Sequence, residues 1–319
     1  MREMRGLSRS RLLGLSIALV ATATASAGAA PAPAQVRGQA QIADQGGKSV
    51  VRFDPFGFEA FRNLVHLRWD PATGTLVFAD PQGGMQAGPG CTGGPFQLLC
   101  GVSPDQLKAL IVQLGGGADR YRGVPPGSPL PGPRLIPQPW VISGGFGPDA
   151  FKGGRADERI GGGPGPDRIR GGKGNDKLFG GDGNDVLDGG PGADVLDGGR
   201  GADLLRDTGG GSAGGARAAG GRASPPDVFR GGYGGDRFRV RLGFSNRIHC
   251  GPGRDMVGAF TTESAIRAAV KQLQDSGAVA LSEWSGGAKL ALPSSVRIRF
   301  GPRRFTYLYA CELIRIVGR

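Results

Sequence analysis

An apolar residue recurs every nine positions through the middle of the chain. Between Gly144 and Arg206 it is always the eighth residue of a unit that begins with two glycines. A short apolar segment bounded by glycine turns is typical of a brief β-strand. A fixed period of this kind predicts a solenoid, in which every unit adds one side chain to a thin shared core. The recurring residues are Phe151, Ile160, Ile169, Leu178, Leu187, Leu196 and Leu205.

The segments on both sides of the repeat carry ordinary strand and helix patterns. Val65–Trp69 and Thr75–Ala79 alternate apolar and polar residues around a turn, which predicts a hairpin. Leu107–Leu114 fits a strand or a short helix, and we favour a strand because a glycine-rich run leads on from it. Residues 261–277 form an amphipathic helix pattern, and two β runs follow. The flanks therefore predict an N-terminal β cap and a C-terminal α+β cap.

The first residues have the anatomy of a secretory signal peptide. An arginine-rich start precedes an apolar stretch from Leu12 to about Ala25, and small residues offer cleavage sites after Ala27 or Ala29. The stretch is too short, and too rich in alanine and threonine, for a good membrane span. A retained signal anchor is the alternative. We therefore expect an exported protein, secreted or at the cell surface, with no transmembrane span in the mature chain.

Acidic residues occupy a second fixed position in the repeat, the sixth. Glycine fills positions one and two and, except at Ala156, position four, so the first six residues can form a tight turn with positive φ. Carboxylates are hard oxygen ligands that suit calcium. The candidate metal ligands are Asp149, Glu158, Asp167, Asp176, Asp185, Asp194 and Asp203, with Asp236 from a single unit further on.

The pattern resembles the nonapeptide GGxGxDxUx of the RTX, or hemolysin-type calcium-binding, repeat family. The resemblance covers residues 144–206. It implies a mainly β fold, a parallel β-roll or solenoid in which each nonapeptide makes half a turn, and Ca²⁺ as the cofactor. Units n and n+2 then become neighbours, so Asp185 is expected beside both Asp167 and Asp203, and Asp176 beside Asp194. Seven units allow at most five such pairs.

Columns of carboxylates at this spacing need a cation. Neighbouring strands lie about 4.8 Å apart, and two carboxylates at that distance repel by roughly 3 kcal/mol at an effective dielectric of about 20. Ordering so much glycine adds a large entropic cost. We therefore expect calcium binding and folding to be one event. The alternative is a flexible glycine-rich linker that binds nothing. Ala156 and Glu158 depart from the pattern and weaken the case for a site shared with Asp176.

The same patterns divide the chain into five parts. They are a signal peptide at 1–29, a β-rich flank with a proline-rich linker at 30–143, the repeats at 144–206, a Gly/Ala-rich loop at 207–230, and degenerate repeats with a C-terminal cap at 231–319. Single repeat-like units around Asp119, Asp236 and Asp255 fit either solenoid turns or turns without a ligand.

Cysteine spacing and charge add two expectations. The four cysteines suggest the local pairs Cys91–Cys100 and Cys250–Cys311, although three connectivities are possible. The net charge is +12, and the leader contributes +3 of it. A basic balance fits either an inert surface or an anionic cell-surface or matrix polymer as partner. Basic residues are not interleaved with aromatics, so together with export we expect no nucleic-acid partner.

The sequence offers no catalytic motif. It has two histidines, His66 and His249, and contains neither HExxH nor a GxxxxGK[ST] phosphate loop. We therefore hypothesise an exported calcium-binding protein whose repeat region folds on binding Ca²⁺, a non-enzymatic envelope or extracellular module. The alternatives are a secreted enzyme with the roll as an accessory folding domain, and an adhesive protein that uses the roll as a spacer.

Overall fold

A computed structural model describes most of the chain from Gly38 onward. The described residues are 38–44, 49–55, 62–70, 73, 75–102, 107–123, 140–206, 208, 227–241, 246–261, 263–284, 287–301 and 304–318. The predicted signal peptide lies outside them, as do the proline-rich linker before Trp140 and most of the Gly/Ala-rich loop.

A largely antiparallel cap precedes the repeats. Its strands are β1 (Gly38–Asp44), β2 (Ser49–Pro55), β3 (Leu64–Asp70), β4 (Thr75–Ala79), β5 (Met85–Ala87), β6 (Cys91–Gly94) and β7 (Gln97–Gly101). Strands β3 and β4 form the predicted hairpin, with Trp69 opposite Leu76. Cys91 faces Cys100 across β6 and β7, and the two form a disulfide, which confirms that pair.

The repeat folds into coils that run alternately through two parallel sheets. Its strands are β8 (Leu107–Gly116), β9 (Arg120–Arg122), β10 (Trp140–Phe146), β11 (Ala150–Lys152), β12 (Glu158–Pro164), β13 (Arg168–Arg170), β14 (Lys177–Asp182), β15 (Val186–Asp188), β16 (Val195–Arg200), β17 (Leu204–Arg206), β18 (Asp227–Tyr233), β19 (Arg237–Arg241), β20 (Asn246–His249) and β21 (Met256–Thr261). Even-numbered strands belong to one sheet and odd-numbered strands to the other. The parallel roll predicted from the sequence is thus confirmed, and so is the strand at Leu107.

The recurring apolar residue points inward in every coil. Leu178 lies opposite Ile160 and Leu196 in one sheet, and Leu187 lies opposite Ile169 and Leu205 in the other, at the predicted interval of two units. All of these side chains are fully buried. Because each nonapeptide unit contributes a single side chain of this kind, the core is thin, and the stability of any coil depends on its neighbours.

An insertion leaves this register unchanged. Leu196 lies opposite Phe229, which is 33 residues further on, whereas Leu178 and Leu196 are 18 apart. The additional residues emerge between β17 and β18. Since β18 begins at Asp227, the last residues of the segment predicted as a loop at 207–230 belong to the roll.

The C-terminal region extends both sheets. It consists of helix α1 (Glu263–Asp275) and strands β22 (Val279–Trp284), β23 (Gly287–Ala291), β24 (Ser295–Gly301), β25 (Arg304–Tyr309) and β26 (Leu313–Gly318). Strands β25 and β26 pair in parallel with β20 and β21, and α1 is the predicted amphipathic helix. The Cys250–Cys311 disulfide joins this cap to the last coil, confirming the second pair. Among the described residues, no helix has the length and apolar character needed to cross a bilayer.

Candidate metal centre

The acidic residues at position six stack into two buried columns along the roll. The long column lies just before the odd-numbered strands, and the short column lies just before or at the first residue of the even-numbered ones. Members of the long column are Asp119, Asp149, Asp167, Asp185, Asp203, Asp236 and Asp255. Members of the short column are Glu158, Asp176, Asp194 and Asp227. All eight predicted candidates therefore lie in one column or the other, and their role as metal ligands stays a prediction.

Hydrogen bonds hold each column in register. The backbone N–H of Asp167 donates to Oδ1 of Asp185 at 2.7 Å, and that of Asp185 donates to Oδ1 of Asp203 at 2.8 Å. In the short column the N–H of Asp176 donates in the same way to Asp194 at 2.8 Å. The expected n and n+2 neighbours are thus in contact, and one carboxylate is placed at every strand spacing.

The second carboxylate oxygen, Oδ2, of each aspartate in the long column is the atom left to bind a ligand. All seven Oδ2 atoms are buried, and none has a hydrogen-bond partner among the described residues. An unsatisfied buried polar atom costs about 1–3 kcal/mol, and more when it is charged. A row of seven such atoms is therefore the signature of a missing positive ligand, either protons or metal ions.

The surroundings of these oxygens fit a hard cation. A Cβ placed on Gly162 would collide with the carboxylate of Asp167 and with the carbonyl oxygen of Gly180 in the next coil. The same relation joins Gly180 to Asp185 and to the carbonyl of Gly198. Each small space that glycine leaves open is thus bordered by a carboxylate oxygen and a backbone carbonyl oxygen, the donor types that calcium prefers.

Backbone carbonyls would have to supply much of the coordination. Within the described ranges, no three His, Cys, Asp or Glu side chains come together as a metal cluster. Carbonyl donors are supplied by the close stacking of the turns. Gly163 has φ +117°, and a Cβ there would strike the carbonyl oxygen of Gly145 in the preceding coil. Glycine at position two is thus required by both the turn and the contact between coils.

Burial raises the pKa of the long-column acids well above the ordinary aspartate value of 3.8. The pKa rises to about 6 for Asp149, Asp185 and Asp203, to about 7 for Asp119, and to about 8 for Asp167. Burial is the largest cause in every case, and the charges of neighbouring column members raise the pKa of Asp119, Asp167 and Asp203 further. Without a cation, these carboxylates therefore favour protonation at a pH where an exposed aspartate is ionised.

The short column ends where the sequence departs from the repeat. Glu158 keeps the stack, because its N–H donates to Oδ1 of Asp176 at 2.8 Å, but its own Oε1 accepts from Gly154 within the same turn at 3.0 Å. Burial raises the pKa of Glu158, and the nearby charge of Asp176 raises it further. Trp140 lies opposite Glu158 at one end of the column and Asn246 lies opposite Asp227 at the other, so neutral side chains close both ends.

Sequence reasoning missed part of this arrangement. Asp119 and Asp255, left open between solenoid turn and ligand-free turn, both lie in the long column. Asp227 was not recognised at all, because the insertion replaces the first five positions of its unit. The signal was its distance from the next glycine pair, since Asp227 precedes Gly231 by the same four residues that separate Asp194 from Gly198. The long column therefore has six neighbouring pairs and the short column three.

Comparison with known proteins identifies the repeat. Residues 141–169, 161–196 and 170–205 match the family model of the RTX calcium-binding nonapeptide repeat (4 copies). The resemblance drawn from the sequence is thus confirmed for this segment, whereas the units of Asp119, Asp227, Asp236 and Asp255 lie outside the match. Neither a curated protein nor a solved structure matches the chain.

Proposed function

We propose that this chain is an exported calcium-binding protein whose roll folds as calcium binds. The observation that carries the proposal is the row of seven buried Oδ2 atoms in the long column. The match of residues 141–205 to a calcium-binding repeat supplies independent support for the identity of the ion.

The residues that would hold calcium are the column acids, with the backbone carbonyls of the turns. They are the eight predicted from the sequence, Asp149, Glu158, Asp167, Asp176, Asp185, Asp194, Asp203 and Asp236, extended by Asp119, Asp227 and Asp255. Bound calcium would supply the positive charge that lets these carboxylates stay ionised while buried. The glycine turns would bring carboxylate and carbonyl oxygens from successive coils to the same space.

Coupling between calcium binding and folding follows from the free energies that favour and oppose the folded roll. Each neighbouring carboxylate pair contributes repulsion of roughly 3 kcal/mol at an effective dielectric of about 20 when both members are ionised. Against this stands one buried apolar side chain per nonapeptide unit, worth about 1.5–3 kcal/mol, and the entropy of ordering the glycine turns opposes folding as well. The coils therefore need the cation to become stable together.

The biological setting we propose is the cell envelope or the extracellular space. The predicted signal peptide supports export, and extracellular modules bind calcium at millimolar to submillimolar concentrations. A non-enzymatic role belongs to the same proposal, because the sequence contains neither an HExxH motif nor a GxxxxGK[ST] phosphate loop. Of the two histidines, His249 stacks on Tyr309 with ring centroids 4.6 Å apart, and His66 is half-buried on strand β3. An anionic polymer as partner belongs to the same proposal, because the chain is basic.

Limited trypsin digestion of the full mature chain tests this function. In chelator, we expect cleavage within the repeats at exposed basic residues such as Arg168 and Lys177. Calcium should protect these sites and magnesium should not. An Asp167→Asn/Asp185→Asn variant should need more calcium for protection, whereas Asp275→Asn, which changes an exposed acid on helix α1, should behave like the wild type. Equal cleavage with and without calcium would contradict the proposal.

A further inference from the structure

The outer faces of the two sheets differ in charge. Positions seven and nine of each unit point away from the core, and in strands β9–β19 of the odd-numbered sheet they carry eight cations and one acid. The corresponding positions of β10–β20 in the even-numbered sheet carry four cations and one acid. The positive charge of the roll is therefore concentrated on one face.

Six of the eight cations line a groove at the N-terminal end of this face, and one of them, Arg206, forms an ion pair with Asp188. Arg122, Lys152 and Arg170 lie in register on β9, β11 and β13, one strand spacing apart. A second row of outward positions runs beside this one. In it, Arg120 on β9 and Arg168 on β13 lie on either side of Ala150 on β11. The small side chain of Ala150 lies between them, within a depression of about 710 Å³ that extends from His66 on β3 to Arg206 on β17. We refer to the five cations without an ion pair, Arg120, Arg122, Lys152, Arg168 and Arg170, as the cationic groove.

The charge of the cationic groove is not balanced within the described part of the chain. No described carboxylate forms an ion pair with any of the five, all of which are exposed. The acid nearest along this face, Asp188, is already engaged by Arg206 at 3.1 Å and by the hydroxyl of Thr208 at 2.7 Å. Like charges directly opposite each other on neighbouring strands are destabilising, so an anionic ligand would relieve a repulsion built into the face.

We propose that the cationic groove binds a linear acidic polysaccharide that carries carboxylate or sulfate groups. Four of the five side chains are arginines, whose planar guanidinium groups match such oxyanions in a bidentate manner. The row Arg122, Lys152 and Arg170 presents one cation about every 4.8 Å along the roll, a spacing comparable with the length of one sugar ring. A single chain lying along the roll axis can therefore place successive anionic groups against successive cations.

The shape and composition of the groove favour this class over two other polyanions. None of the outward residues of β9, β11 and β13 is aromatic. Of the aromatic residues that line the groove, Tyr121 and Phe151 are buried, so His66 is the one side chain among them on which a nucleic-acid base could stack. A depression only two side-chain columns wide accommodates one chain better than the flat surface of a bilayer. These comparisons identify acidic polysaccharide as the occupant, with nucleic acid and anionic lipid as outcomes to be tested.

This inference rests on the proposed calcium-dependent roll, because the groove exists only where the coils are stacked. The test measures binding of the mature chain to fluorescent dextran sulfate in saturating calcium, with neutral dextran as the polymer control. The groove variant is Arg122→Gln/Lys152→Gln/Arg170→Gln. Its matched control, Arg159→Gln/Lys177→Gln/Arg247→Gln, removes the same charge from the opposite face. Each exposed charge contact is worth roughly two- to fivefold in affinity, so the groove variant should bind on the order of tenfold to a hundredfold more weakly.

We expect the opposite-face variant to bind within about twofold of the wild type, since it leaves the proposed contacts intact. The single variant Lys152→Gln, which disturbs the fold least, should lose roughly two- to fivefold. Equal losses in the two triple variants would overturn the proposal. So would tighter binding, at equal salt, to a single-stranded oligonucleotide or to anionic phospholipid vesicles than to dextran sulfate.

Circular dichroism of each variant separates this proposal from the proposed function. A calcium response with no preference for dextran sulfate would refute the groove and leave the calcium-dependent roll intact. A β-rich spectrum that is the same with and without calcium would refute coupled folding, and the variant comparison on that chain would still decide whether the groove binds the polymer. A spectrum that stays unfolded in calcium would refute both proposals.

Discussion

Replacing Asp185 by asparagine should have opposite effects with and without calcium. Asp185 lies in the middle of the long column between Asp167 and Asp203, and its Oδ1 accepts the N–H of Asp167 at 2.7 Å. Asparagine keeps a carbonyl acceptor of the same size at this position but removes the charge. The substitution therefore isolates the electrostatic role of one carboxylate from its structural role in the hydrogen-bonded ladder.

The magnitude follows from the pKa of this group. Burial is the main cause that raises the pKa of Asp185 from 3.8 to about 6. A shift of about two pKa units corresponds to roughly 3 kcal/mol between the ionised and neutral forms, and solvent screening at the turn reduces this to about 1–2 kcal/mol. Without calcium at pH 7.5, we expect the Asp185→Asn roll to be more stable than the wild type by that amount. With calcium, the variant should be less stable, because it has lost an anionic ligand.

Two titrations followed by far-UV circular dichroism measure both effects. In chelator, trimethylamine N-oxide drives burial of the backbone and apolar surface, and the variant should fold at a lower osmolyte concentration than the wild type. In the calcium titration, the variant should fold at a higher calcium concentration. Asp275→Asn is the control, since it removes an exposed carboxylate from helix α1 in the C-terminal cap. Shifts of the same sign in the two titrations would refute the reasoning.

Three further predictions concern pH, the glycine turns and the disulfides. In chelator, acidification from pH 8 to pH 5 should increase the β signal. Column acids with raised pKa values stabilise the fold while they are protonated, and this stabilisation is lost as the pH rises through about 6 to 8. A β signal that falls on acidification would contradict this. Gly163→Ala should strongly raise the calcium concentration at the folding midpoint, since its Cβ would strike the carbonyl of Gly145. Gly161→Ala, whose Cβ meets open space, should leave the midpoint unchanged, and equal effects of the two variants would contradict the reasoning. Removing Cys250–Cys311 should lower urea stability by about 4 kcal/mol and removing Cys91–Cys100 by about 2.5 kcal/mol, because the pairs span 61 and 9 residues; the reverse order would contradict the entropic argument.

The roll could be predicted from the sequence because its rules are local and periodic. The glycines, the acid and the apolar residue recur at fixed positions, so the pairing of Leu178 with Leu196 and of Asp176 with Asp194 follows once two units make a full coil. The hairpin of the N-terminal cap and helix α1 were predictable for the same reason. Their apolar periodicity is evident over short windows.

The residues at which the columns begin and end could not be predicted in the same way. Asp227 reaches the short column only because the chain returns in register after a long insertion, and the length of an insertion does not reveal where its end will pair. The concentration of cations on one face was also hidden. Arg122, Lys152 and Arg170 are 30 and 18 residues apart in the chain, and only the alternation of coils between two sheets brings them together.

The most direct test of the central claim is a calcium titration of the mature chain by far-UV circular dichroism, with magnesium as the control. Calcium-coupled folding predicts a gain of β signal that calcium alone produces and that an Asp176→Ala/Asp185→Ala/Asp194→Ala variant loses. A spectrum that is the same with and without calcium would contradict the account, and the repeat would then be a metal-free solenoid or a linker between its two flanks.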